Sequence, residues 1–460
     1  MIRGILKFYD SLDKKKKNLN LNNNKITIYV CGVTTSDYSH LGHAFSSMVF
    51  EVLHKYLEYK KIKVTRIQNF TDVDDKIIDK AKKEKLTMHQ VSEKYINAFI
   101  QDMDKLRIKR ADFYPRATDE ISNIIDFIKK LEIKGFTYNL DGSVYFKVNN
   151  KEDYGKLSRR DLNNIVQGTR VEIEEKKQHP GDFALWKKSK EDEPFWDSPW
   201  GRGRPGWHIE CSSMVMSNFG NSVDIHGGGL DLLFPHHENE IAQSEAISGV
   251  RFAKFWMHNG LLKISGDKMS KSTGNLIRLR DALKIHSPNS LRLWMLSSHY
   301  RNPIIYDREN ILAQSKALRR LREATLISNM GKSHSGFSIN KYREIFEKYM
   351  EDDLNTPKAL SVLFDLSREI NKLSTLGNDI LGPQRLLKEL AMILGLNLNE
   401  DQERENEDID EAYIDDLINK RNKFRKNKLF KEADETREQL KKMGIEIRDS
   451  QEGTVWKKIN

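Results

Sequence analysis

The stretch that most narrows the fold of this chain lies between residues 25 and 57. Residues 25–30 are a β-branched and aromatic run that reads as a buried strand, and residues 44–57 carry apolar side chains at helical spacing. Residues 31–43 join the two, so a strand passes directly into a helix. A second strand over residues 63–70 leads toward a second helix, with Thr71 expected as its cap and Asp74 and Asp75 in its first turn. Strand, helix, strand, helix opens a parallel α/β sheet, and such sheets bind ligands at the carboxyl ends of their strands. His40, Gly42 and His43 sit at that end, where the first turn of a helix offers N–H groups and a partial positive charge. Two readings stay open: a phosphate-binding turn, or polar residues in a loop. The carboxylates Asp72, Asp74 and Asp75 likewise read as helix N-terminal charges or as a metal site.

From about residue 114 the pattern changes. An amphipathic helix through Leu131 precedes a hairpin over residues 136–146 that turns at Asp141 and Gly142. This reads as an insertion. Its end, residues 196–207, is rich in Gly, Arg and Trp and is either a surface loop or the edge of a cleft. Residues 223–229 read as a short strand ending in three glycines, against which a nucleotide could lie. Pro235 is placed to open a helix, with His236 and Glu240 stacked one turn apart and His237 and Glu238 directed elsewhere. The pair is either a surface contact or two metal ligands. Residues 266–275 carry Lys268 and Lys271 in a small polar loop, solvated or closing over phosphates. Beyond residue 290 helices are expected over 291–296, 309–328, 340–350, 356–373 and 384–394. An acidic linker then leads to a basic helix or helix pair and a closing hairpin.

The 460 residues are enough for several domains, and 38% hydrophobic with 31% charged content suits a folded, water-exposed protein. No run approaches 18 apolar residues, and the start of the chain has no apolar segment of signal-peptide length. A net charge of +10 favours a polyanionic partner such as RNA. The two cysteines, Cys31 and Cys211, could form a disulfide, but a reducing compartment is expected and a shared metal is the sharper reading.

Taken in order, these motifs resemble the cysteinyl-tRNA synthetases, a family of class I aminoacyl-tRNA synthetases. The resemblance is carried by residues 29–32, by His40 to His43 as the HIGH box, by residues 69–76, 206–211, 224–229 and 234–240, and by Lys268 to Ser272 as the KMSKS segment. It implies an α/β fold: a Rossmann-like parallel-sheet catalytic domain with an inserted connective domain, then a helical bundle and a small C-terminal anticodon-binding domain. The limits would be 1–113 and 205–250 for the catalytic halves, 114–204 for the insertion and 251–310 for a stem-contact region with the KMSKS loop. The bundle would occupy 311–398, the acidic linker 399–411 and the anticodon-binding domain 412–460.

The resemblance also implies roles. ATP would activate L-cysteine to the adenylate, which is then transferred to tRNA(Cys). His40, His43, Lys268 and Lys271 would be catalytic. Gly42, Gly228, Asp231 and Lys271 would bind ATP, which comes with Mg²⁺. Thr71, Trp207 and His226 would line the amino-acid pocket. Cys31, Cys211, His236 and Glu240 would hold one Zn²⁺. Arg421, Arg425, Lys426, Arg437 and Trp456 would meet the anticodon arm. A cytoplasmic monomer with no membrane contact is expected. The family usually has proline at Val33 and arginine at Phe45, so the ATP contacts near the HIGH box are in question. Two rival readings are a ligase passing cysteine to a small amine and a silent RNA-binding paralogue.

Overall fold

The computed structural model describes residues 6–19, 23–161, 177–264, 267–268, 276–331, 337–399, 411–427, 429–442, 445–450 and 453–458. The strands are β1 (Lys7–Asp10), β2 (Lys15–Asn18), β3 (Lys25–Thr34), β4 (Lys63–Thr71), β5 (Thr137–Leu140), β6 (Ser143–Phe146), β7 (Phe183–Lys188), β8 (Gly203–Pro205), β9 (Val223–Gly229), β10 (Ala253–Asn259), β11 (Leu262–Ile264), β12 (Asp267–Lys268), β13 (Ile304–Tyr306), β14 (Ile445–Ser450) and β15 (Gly453–Lys458). The chain divides into two compact units, Met1–Asn399 and Glu400–Asn460.

The first unit is built on a parallel sheet in the order β10-β9-β3-β4. β3 and β10 are largely apolar, and β4 and β9, though they carry polar residues and glycines, are buried along most of their length, as in a sheet covered on both faces. The connection from β3 goes to one side, to β4, whereas β9 lies on the other side of β3. The order therefore reverses at the β3–β9 boundary, and a crevice opens there beyond the strand ends. Pairing between them ends at Val30 and Gly227, and Cys31 and Gly229, just beyond, line that crevice.

The helix Leu41–Tyr59 returns from β3 over the sheet, and it is buried on most of its circumference. Phe45 is 1% exposed and packs toward Met295, Leu296 and Leu354. Position 45 of this chain therefore faces the interior. Val33 lies in β3, where the register with β4 shifts between Val30 and Val33.

Several local expectations change. Thr71 does not cap a helix: it closes β4, paired with Thr34, and Asp74 is the cap, its carboxylate accepting from the Lys76 N–H. The α-helix proper runs from Glu238, but the backbone is already helical from Pro235, which follows the extended Phe234 and a cis peptide bond. The β1–β2 hairpin was not expected, and β10 draws the parallel sheet past residue 250.

Residues 137–205 supply an antiparallel sheet in the order β5-β6-β7-β8, whose hairpin turns at Asp141 and Gly142. The expected later helices are found as Pro288–Leu296, Arg308–Leu326, Ile339–Glu351, Thr356–Thr375 and Leu381–Ile393. The second unit has helices Glu411–Lys426 and Phe430–Lys442 and the β14–β15 hairpin around a core of Ile414, Leu417, Ile418, Leu440, Ile445 and Ile447. Most of the expected acidic linker lies outside the described residues. No helix among the described residues is long and apolar enough to cross a membrane.

Candidate active site and metal centre

The crevice beyond β3 and β9 is a cleft of about 340 Å³, within the range of small-molecule sites. Cys31, His40, Gly42, His43, Trp207 and Asp231 line it. Ser36 and Lys76, from the stretches 31–43 and 69–76, also line it, as do Gln68 and the wall from Asn259 to Leu262, which no local pattern marked out.

At one end of the cleft, His40 is the N-cap of the first helix. Its Nδ1 accepts from the N–H groups of Gly42 at 3.1 Å and His43 at 3.3 Å. Those two amides are thus engaged by the cap in this chain rather than held open for an anion. An accepting Nδ1 leaves the proton of a neutral ring on Nε2. The His43 ring stacks on His40 with centroids 3.6 Å apart. The sequence places two histidines on one turn; the structure makes them a single stacked unit.

At the other end, four buried groups converge. Cys31 closes in on Cys211 with Sγ–Sγ 3.7 Å, and Cys31 Sγ stands 3.3 Å from Glu240 Oε1. His236 Nε2 lies 3.1 Å from the same oxygen. Cys31 comes from the end of β3, Cys211 from the helix Trp207–Phe219, and His236 and Glu240 from the turn and helix after β9. Gly32 permits the arrangement: a Cβ there would stand 1.6 Å from the Asn69 carbonyl oxygen, so only glycine lets β3 bend against β4 beside Cys31.

The set fits a metal ion. A disulfide needs sulfurs about 2.05 Å apart. Two thiolates each about 2.3 Å from a tetrahedral zinc stand about 3.8 Å apart, close to the distance here. Burial pushes the Cys31 thiol well up, and Cys211 and Glu240 add to the effect, so three potential anions share one dry hole that a cation would relieve. Burial holds His236 down at about 3, so its imidazole is neutral and able to ligate. Its Nδ1 lies 2.9 Å from His208 Nδ1, which orients the ring.

A second set overlaps the first: Cys31, His226, His237 and Glu240 also place their ligand atoms within 4.8 Å of one another. His226 Nε2 stands 3.4 Å from Cys31 Sγ and 3.2 Å from Glu240 Oε2. His226 is fully buried in the cluster, stacked near Trp256, rather than on the cleft surface. His237, expected to point elsewhere, joins the cluster, whereas Glu238 does point away, toward the N–H groups of Gly155, Leu157 and Ser158.

Trp207 is on the cleft and stacks on His236 at 4.3 Å. Thr71 is buried at the end of β4, and Gly228 lies behind the surface against Leu232 and His237. The backbone of Lys268 is in β12, paired with Lys263 of β11; Lys271 lies outside the described residues. In the second unit Arg421 is spent internally, its guanidinium bonding both oxygens of Asp449 at 2.8 and 2.7 Å. Trp456 packs on that unit's core, and Arg437 is exposed.

Comparison with known proteins gives three consecutive family matches. Residues 17–316 match the class I (C) tRNA synthetase catalytic domain, residues 345–399 the DALR domain, and residues 409–456 the cysteinyl-tRNA ligase anticodon-binding domain. A cysteine–tRNA ligase of Dehalococcoides mccartyi is 47% identical over 455 residues, covering 98% of this chain and 99% of that protein. One from Finegoldia magna is 43% identical over 467 residues, covering 99% and 100%. Among solved structures, methionyl-tRNA synthetase of Mycobacterium tuberculosis in complex with methionyl-adenylate aligns with a TM-score of 0.59 at 13% identity. It covers 80% of this chain and 89% of that one, a likeness of fold.

Proposed function

The chain belongs to the cysteine–tRNA ligase family of class I aminoacyl-tRNA synthetases, and from that premise we propose how its own residues share the reaction. The protein is a ligase that joins L-cysteine to tRNA(Cys) at the expense of ATP. The cysteine carboxylate attacks the α-phosphorus of ATP, the bond to pyrophosphate breaks, and cysteinyl adenylate remains. A hydroxyl of the terminal adenosine of tRNA then attacks the acyl carbon, and AMP leaves with the bonding pair.

Negative charge moves onto phosphate oxygens in the first step, so positioned donors accelerate it. His40 is suited to this: its Nδ1 is fixed by the cap, which directs a neutral ring to donate from Nε2 to the α-phosphate. His43, stacked against it, adds a second donor. Lys268 and Lys271 neutralise the β- and γ-phosphates, and MgATP is the substrate form. Gly42 and Asp231 serve the nucleotide side of the cleft, with Gly228 behind it. Trp207, Thr71 and His226 shape the amino-acid side.

Selection of cysteine is the harder problem. A pocket that reads shape alone rejects a near-isostere such as serine by about two orders of magnitude. Cys31, Cys211, His236 and Glu240 would hold zinc, which when bound supplies a centre that prefers a thiolate to a neutral hydroxyl. The observation that carries this reading is the 3.7 Å separation of two buried cysteines beside His236 and Glu240, with Cys31 also on the cleft. Arg425, Lys426 and Arg437 of the second unit would meet the anticodon arm, and the protein would act as a cytoplasmic monomer.

The test is charging of tRNA(Cys) by the purified protein with ATP and labelled cysteine. Base-labile cysteine on the tRNA is expected. Adenylate formation without charging would favour a ligase for small amines. Neither activity, with the metal present, would favour a silent RNA-binding protein.

A further inference from the structure

We propose that Asp353 is a positioning residue for the ATP side of the cleft, acting through Tyr300 and Arg301. It lies far along the chain from every site residue, yet it is fully buried and fully engaged. Its Oδ1 accepts from the Tyr9 N–H at 2.9 Å and the Tyr300 hydroxyl at 2.8 Å. Its Oδ2 accepts from Arg301 Nε at 2.9 Å and Nη2 at 2.8 Å. Its own N–H donates to the Lys7 carbonyl at 2.8 Å. Asp353 and Leu354 both have positive φ, at 63° and 49°. Consecutive residues in this region are costly for side chains other than glycine, so the turn is held by what the carboxylate binds.

What it holds is the segment 299–306, to which the cleft wall is fastened. The Gly260 N–H donates to the Tyr300 carbonyl at 2.7 Å, and the Ile304 N–H donates to the Leu261 carbonyl at 3.0 Å. The strands β11 and β13 then pair from Leu262 with Ile304, and β12 pairs on β11, bringing the Lys268 backbone opposite Lys263. A Cβ on Gly260 would stand 2.0 Å from the Asn302 carbonyl oxygen, so the two backbones touch with nothing between them. Asn259, Gly260, Leu261 and Leu262 all line the cleft. Displacement of Tyr300 and Arg301 would therefore move this wall and the strand that carries Lys268. The zinc-ligating candidates, which come from β3, the helix Trp207–Phe219 and the residues after β9, are not attached to the segment 299–306 by any of these bonds. A merely stabilising carboxylate would affect both sides of the site alike.

The proposal rests on the assignment of the lysine-bearing segment to ATP. The test uses the full chain, with zinc content and thermal midpoint measured on each sample, and ATP–pyrophosphate exchange followed while ATP and cysteine are varied separately. Asp353→Asn keeps the shape and tolerates positive φ. It is expected to lower kcat/KM for ATP about tenfold, with zinc content and KM for cysteine within about twofold of wild type. Tyr300→Phe removes a single hydroxyl, folds more securely, and should shift the same parameter in the same direction by a smaller factor. Joined to Asp353→Asn it should add little, because the two act as one unit. Unchanged kinetics per zinc-loaded molecule, with only a lower midpoint, would overturn the proposal; so would equal losses toward ATP and cysteine. Lys271→Ala is the control for the underlying assignment. If it leaves ATP kinetics intact, that assignment fails, while the asymmetry in Asp353→Asn still decides the role of Asp353.

Discussion

His258 shows how a single side chain links burial to pH. It is buried with its Nε2 2.8 Å from His237 Nδ1 and its Nδ1 2.8 Å from Ser11 Oγ. Burial, with His226 nearby adding to it, holds its pKa at about 3. In the unfolded chain an imidazole titrates near 6.5. Between those values the unfolded state binds the extra proton, so this contribution to stability is present above about pH 6.5 and falls as pH drops toward 3. His258→Gln should flatten the pH dependence of the urea midpoint in that window by about one proton, read from unfolding curves at fixed zinc. The histidines also mark where sequence reasoning stops. His236 and Glu240 are one turn apart, and their pairing is legible from spacing. His237 is less legible: its backbone is helical, at φ −68° and ψ −31°, and it stands three residues before Glu240, so it shares the buried face that the spacing of four alone picks out.

Among elements, the first helix must be held in place if His40 and His43 are to face the cleft. Its middle is fixed by Glu51, which is buried and bonded by Arg292 Nη2 at 2.6 Å and by Lys55 Nζ at 2.5 Å. The same guanidinium donates to the Leu394 carbonyl at 3.0 Å, tying the helix Pro288–Leu296 to the end of the bundle. Arg292→Leu leaves the buried Glu51 carboxylate with Lys55 alone as its counter-charge, so it should cost up to about 3–5 kcal/mol of stability, measured by urea unfolding. Of the parallel strands, β3 was legible from the β-branched and aromatic run of residues 25–30, whereas β10 was not read as a strand. The β1–β2 hairpin was not legible, because β2 is mostly lysine, a poor strand former. What shapes it is partly tertiary: Lys16 pairs with Asp352 at 2.6 Å, while Lys17 pairs within the hairpin with Asp13 at 2.6 Å. The cleft wall from Asn259 to Leu262 was equally silent, since it is made of backbone held by a segment forty residues further on.

At the scale of the molecule, the chain divides into two compact units. Met1–Asn399 contains the cleft and the convergent Cys, His and Glu groups, and the second unit has its own core. A chain ending at Asn399 should therefore retain cysteine-dependent pyrophosphate exchange within about twofold. Its charging of tRNA(Cys) should fall by about a hundredfold, as expected when phosphate and base contacts are lost. The net charge of +10 predicted a polyanionic partner but not which cations meet it. Arg421, held by Asp449, is taken out of that set, whereas Arg437 and Lys426 are exposed.

On the proposed reading, the buried set at the end of β3 selects the amino acid. Amino-acid-dependent ATP–pyrophosphate exchange, with zinc measured on the same samples of wild type and Cys211→Ser, tests it most directly. Wild type should carry about one zinc per chain and exchange with cysteine while excluding serine by more than the about hundredfold that shape alone allows. Cys211→Ser should lose zinc and selectivity together. A Cys211→Ser protein that kept stoichiometric zinc and still excluded serine would contradict the assignment.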